Sequence, residues 1–367
     1  MSATDPETPN SKNQEPNSNM SAGGDSSLEM GSWKLVLGWL RSLSGPAIGL
    51  IVVLGLFIIL FKIKGDDDSL RTFLSFRNLQ VLFHDITITG VISLGALLII
   101  ISGGIDLSVG SVAALVTVIA MQVFRIFYLS SGSMMVASLA AVPAGIGVAG
   151  LCGLVNGLVI TQLRVSPFVA TLGMLSMARG LAVWLSGRRP VEFPAATPGW
   201  VQALARVHVK YTLFNPGFWS MVLLAIAVAV LLRYTVLGRY CYAIGSNEAT
   251  ARLCGVPIRL NKIVIYTLAG LLTGWGGVLM FAHGNSGDPS AGVGLELEVI
   301  AAVVIGGASL SGGQGTVLGT LLGVLILGVL KNGVSSFQVP VEIQHILIGA
   351  IIVVNTALSQ WQRRSGE

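Results

Sequence analysis

The sequence predicts an all-α polytopic membrane protein with about ten transmembrane helices, and three observations lead there. Of the 367 residues, 53% are hydrophobic and only 11% charged, against roughly 25% charged in ordinary soluble domains. The apolar residues fall into ten runs, each near the ~20 residues needed to cross a hydrocarbon core of about 30 Å. The 46 glycines suit a bundle in which backbones approach closely and helices break within the membrane.

In chain order, residues 1–32 are rich in Ser, Asn, Pro, Gly and acids with little apolar surface to bury, and are expected to form a disordered cytoplasmic tail. They lack the basic start and adjoining apolar stretch of a signal peptide. A single transmembrane domain is expected over 33–367. Its first five spans are expected at Pro46–Phe61, Val81–Ser102, Leu107–Phe127, Met134–Ile160 and Pro167–Leu185. The second five are expected at Phe218–Leu232, Ile263–Phe281, Leu295–Leu310, Gly315–Leu330 and Ile343–Leu358. Ten spans put both termini on one side. Basic residues divide almost equally between the two sets of loops, so charge bias alone does not choose the orientation.

Between the sixth and seventh spans lies a polar island, GRYCYAIGSNEATARLCGVPIRL, from Gly238 to Leu260. Its middle reads as one short helix. Ser246 or Asn247 can cap the start, Glu248 places an acid in the first turn, and Arg252 follows four residues on. Gly255 offers a left-handed stop, and Pro257 prevents continuation. A second feature is an echo: GGIDLSVG at Gly103–Gly110 matches GGASLSGG at Gly306–Gly313 in five of eight positions. Repeated glycine-interrupted apolar segments are the pattern of duplicated halves with broken helices.

Three false leads are set aside. LSGGQ at Leu310–Gln314 is the string of ATPase signature loops, but no G-x-x-x-x-G-K-[ST] phosphate loop accompanies it, and a tight interhelical turn is expected instead. The net charge of +5 is spread over loops flanking apolar runs, so no nucleic-acid partner is expected. Cys152, Cys241 and Cys254 form no CxxC pair, and the four histidines share no ligand spacing, so no metal site is expected.

The polar island resembles the coupling loop of permease subunits of ATP-binding-cassette importers for ribose, xylose, arabinose and related sugars. The family's Glu-Ala-Ala-Arg-Leu-Ser-Gly appears as EATARLCG, with Thr250 and Cys254 as departures. The resemblance runs from about Gly45 to Gln360 through GGIDLSVGS, SPFVATLGMLSMARGL, YTLAGLLTGWGGVLMFA and IAAVVIGGASLSGGQGTVLGTLLGVLILG. It implies a multi-pass protein of the cell (inner) membrane with the island in the cytoplasm. Asn247, Glu248, Ala249, Arg252 and Gly255 would then meet a separate cytoplasmic ATPase. It also implies an extracytoplasmic sugar-binding protein and a second permease copy; the long connection from Gly187 to Pro216 reads either as a platform for that binding protein or as a passive connector. No catalytic residue and no cofactor are expected.

Sugar hydroxyls require polar partners along a pathway, and Asp106, Asn156, Thr171 and Asn285 are the candidates inside or beside the spans. Each has a plainer reading. Asp106 can cap a helix beginning at Leu107, and Thr171 can be helix-to-helix glue. Glu296 and Glu298 read as acids at a helix start. A branched-chain amino-acid or nucleoside permease, and a transporter acting without an ATPase, are the rival functions.

Overall fold

The computed structural model describes residues 45–63, 67–192, 199–205 and 214–337, together with positions 343, 346 and 349. The expected tail over 1–32 and almost all of the expected last span lie outside the described residues. The helices are α1 (Gly45–Ile63), α2 (Asp67–Phe73), α3 (Phe76–Ile101), α4 (Val109–Ser131), α5 (Met134–Gln162) and α6 (Pro167–Ser186). They continue as α7 (Gly199–Leu204), α8 (Pro216–Tyr234), α9 (Val236–Ser246), α10 (Glu248–Leu253), α11 (Ile258–Gly284), α12 (Leu295–Ile305) and α13 (Val317–Ser336). The one sheet among the described residues pairs β1 (Val191–Glu192) antiparallel with β2 (Ser286–Gly287). Eight helices, α1, α3, α4, α5, α6, α8, α11 and α13, are long and apolar enough to cross a membrane. The chain is a polytopic all-α membrane protein.

Apolarity around its whole circumference places α3 inside the bundle. Every residue from Thr89 to Ile101 is buried, and α11, α12, α13 and α8 pack around it. The most extensive helix-to-helix packing is between α5 and α11, and glycine makes it possible. Gly153 lies on the Tyr266 carbonyl, Gly157 on Ile263, and Gly270 and Gly274 on Ala149 and Ile146, so the backbones meet with nothing between them. Around this core, α1, α6 and α8 leave Ile51, Phe168, Trp184 and Leu223 more than half exposed, the apolar surface that lipid covers.

The structure corrects three sequence-based boundaries. The expected span at Leu295–Leu310 is a helix of only 11 residues, about 16 Å at 1.5 Å per residue and half a hydrocarbon core. The chain reaches its start by running down α4. Gly287 packs on Thr117 and Val118, the Asp288 N–H donates to Thr117 Oγ1 at 3.1 Å, and Gly292 rests against Gly110. Such irregular backbone survives in the interior only where protein groups satisfy it. Arg179, the one cation within α6, does so, donating to the carbonyls of Pro289 at 2.6 Å and Ala291 at 2.9 Å. The second correction is that α4 begins at Val109, not Leu107, because Asp106 and Ser108 form a side-chain-closed turn before it. Third, the helix expected in the middle of the polar island is α10, but α9 precedes it: Thr235 caps α9 by accepting the Gly238 N–H at 3.2 Å, and only then does α10 follow.

Candidate functional site

Helix α10 is closed at both ends by its own sequence. Asn247, extended at φ −160°, accepts the Thr250 N–H on its side-chain oxygen at 3.0 Å, so of the two expected caps it is Asn247 that serves. At the other end Gly255 has φ +82°. The Gly255 and Val256 N–H groups donate to the carbonyls of Arg252 and Ala251, both at 3.1 Å, the paired bonds of a Schellman stop. Glu248 accepts from Arg252 at 3.1 Å and from Lys262, at the start of α11, at 2.6 Å. Burial alone pushes the Glu248 carboxyl up, but the Lys262 hydrogen bond and the two cations outweigh it and hold the group below the ordinary carboxylate range. The second cation ties α10 to a spanning helix. Ala249, Arg252 and Leu253 stay exposed on the outer face, leaving α10 free to meet a partner.

Behind α10, α9 is packed into the bundle. Cys241 is fully buried and its thiol donates to the Leu98 carbonyl at 3.2 Å. The Tyr242 hydroxyl donates to the Gly315 carbonyl at 2.8 Å. One turn further on, the Ile101 carbonyl and the Gly313 amide both lie where a side chain on Gly245 would begin. Those two groups are themselves bonded, Gly313 N–H to Ile101 C=O at 2.8 Å. The two echoed glycine motifs thus meet each other and α9 at one point. They also share a local device. Asp106 Oδ1 accepts the Ser108 N–H at 2.7 Å, and at the matching position Ser309 Oγ accepts the Ser311 N–H at 3.3 Å. LSGGQ is the tight turn between α12 and α13, where Gly312 donates to Ser309 and Ser309 to Gln314.

Of the four polar pathway candidates, three are brought together. Asp106 also accepts the Ser108 hydroxyl at 2.6 Å, Asn156 Nδ2 donates to that hydroxyl at 3.3 Å, and Thr171 Oγ1 lies 3.3 Å from the Ile105 carbonyl and 3.0 Å from that of Pro167. All three are buried and hold the first glycine turn to α5 and α6. Asn285 is elsewhere, a left-handed cap at φ +47° where α11 ends. Sequence reading passed over Tyr242 and Gly245, whose role exists only once α9 is seen against the two turns. It also passed over the His84–His283 contact of 2.9 Å between α3 and α11 and the Lys331–Glu298 pair at 3.4 Å between α13 and α12. Among the described residues no cluster of three or more His, Cys, Asp or Glu could hold a metal ion.

A bundle with a half-helix, two converging glycine turns and a capped helix outside the spans fits the broken-helix pattern of transporters. The comparisons agree: residues 78–356 match the family described as branched-chain amino acid transport system / permease component, and the chain belongs to it. It is similar to the ribose import permease protein RbsC of Escherichia coli K12, 36% identical over 77% of this chain and 85% of that protein. It is 34% identical to the L-arabinose ABC transporter permease protein AraH of Azospirillum brasilense, over 79% and 82%. It is 32% identical to the fructose import permease protein FrcC of Rhizobium meliloti, over 88% and 87%. No solved structure matches the chain.

Proposed function

We propose that this chain is the membrane permease subunit of an ATP-binding-cassette importer, carrying a monosaccharide of the ribose, xylose or arabinose class into the cytoplasm. It does no covalent chemistry. A separate cytoplasmic ATPase supplies the energy, an extracytoplasmic binding protein delivers the sugar, and a second permease copy completes the pore in the cell's inner membrane. The observation that carries this reading is the continuous path from α10 to the two glycine turns, in a chain whose relatives are named as ribose, arabinose and fructose permeases. Closure of the ATPase pushes α10; the Glu248–Lys262 bridge and α9 pass the displacement inward. Gly245 then shifts both turns together. Asp106, Asn156 and Thr171 border the pathway by holding the first turn, while Asn285 belongs to the opposite end of α11.

The test is a double variant, Glu248→Lys with Gly255→Val. The membrane bundle should insert normally, while retention of the ATPase and uptake of labelled ribose fall together. Unchanged ATPase retention and uptake would reduce α10 to a passive loop. Because the family description names branched-chain amino acids, labelled leucine is run beside ribose, and uptake of leucine alone would reassign the substrate.

A further inference from the structure

Beside α10 the bundle opens into a cleft of about 770 Å3, walled by the α5–α6 turn on one side and by α10 and the first turn of α11 on the other. Its charged lining is Arg164, Arg252, Arg259 and Lys262 against one carboxylate, Glu248. That carboxylate is already taken by Lys262 at 2.6 Å and Arg252 at 3.1 Å. Arg164 and Arg259 are both exposed and form no ion pair among the described residues. Arg164 stands at φ +57°, a backbone region in which glycine sits without strain and a long side chain does not. The turn therefore presents a cation where the local conformation would be better served by none. Uncompensated like charges gathered in one cleft repel one another and favour an anionic occupant.

Resting on the importer reading above, we propose that this cleft is a second contact for the ATPase, receiving an acidic segment of that subunit between Arg164 and Arg259 while α10 docks beside it. Two facts favour a protein occupant over a lipid phosphate. The cleft shares Glu248 and Arg252 with the helix assigned to docking, so a partner seated on α10 covers its mouth. The Arg252 side chain is 70% exposed, directed outward and not packed against the bundle. The contact links the α5–α6 turn, and through Thr171 the first glycine turn, to the same ATPase movement that pushes α10.

The experiment uses the full permease in nanodiscs and measures the affinity of the co-expressed ATPase subunit at low and high salt. Arg164→Glu, Arg164→Gly and Arg259→Glu should each weaken it about tenfold, roughly 1.4 kcal/mol, with the wild-type affinity falling at high salt as screened charge pairs do. Arg164→Lys should keep it. Arg164→Gly relaxes the turn, so a loss there is a loss of charge and not of folding. A parallel arm compares binding of phosphatidylglycerol and phosphatidylcholine without ATPase. Variants that keep the ATPase but lose phosphatidylglycerol would make the cleft a lipid site, and variants that change neither would make it a solvated face. Either result overturns the proposal. If the wild-type permease retains no ATPase at all, the importer reading fails, and that is seen before any variant is made.

Discussion

At the scale of the residue, Glu248 and Gly255 decide whether α10 is a rigid knob. A carboxyl held below its ordinary range stabilises the fold above its unfolded value of about 4.3, and that contribution disappears as pH falls through the lower folded value. Hydrogen-exchange protection of Thr250–Val256 should therefore be steady at neutral pH and drop below about pH 4, a drop absent in Glu248→Gln. A drop of equal size in both would place its origin elsewhere. At Gly255 nothing lies within 4 Å of an added Cβ, so the cost of a side chain is conformational. Gly255→Val should destabilise the stop by about 1–2 kcal/mol, whereas Gly255→Asn, a residue that tolerates the left-handed region, should restore most of the protection. Equal behaviour of the two would show that the positive φ is not what limits this site.

At the scale of the element, α9 packs between α10 and the two glycine turns. A Cβ on Gly245 meets the Ile101 carbonyl and the Gly313 amide. Gly245→Val must push α9 off the hydrogen-bonded Ile101–Gly313 pair, at a cost of about 1–3 kcal/mol by the usual toll of overpacking. The packed spans survive that. We expect an inserted permease that still holds the ATPase and lets it hydrolyse ATP, but takes up no sugar. Lost ATPase binding with this variant would mean that Gly245 supports α10 itself and is not a link in transmission.

At the scale of the whole molecule, orientation is testable with the natural thiols. Cys254 is exposed at the end of α10, Cys241 is buried in α9, and Cys152 lies half-buried in α5. In a Cys152→Ser background a membrane-impermeant maleimide should label Cys254 in inverted vesicles and not in intact cells. Labelling in intact cells would turn the bundle over and place α10 on the receptor side.

The sequence by itself determined that this is a helical membrane protein, because apolar runs of spanning length report directly on the solvent around a helix. It also determined α10, since a cap, an acid, a left-handed glycine and a proline are all local to the eleven residues from Asn247 to Pro257. Even the echo between Gly103–Gly110 and Gly306–Gly313 was legible as a pattern. Its meaning was not. Hydropathy sees composition along the chain, so α12 and the turn after it read as one span, although α12 has only 11 residues and the chain enters it along α4, with Arg179 closing the carbonyls of Pro289 and Ala291. Nor could spacing show that Gly245 touches Ile101 and Gly313, residues 144 and 68 positions away. Those contacts depend on where three helices end in space, and a glycine records in the sequence only that something comes close, never what.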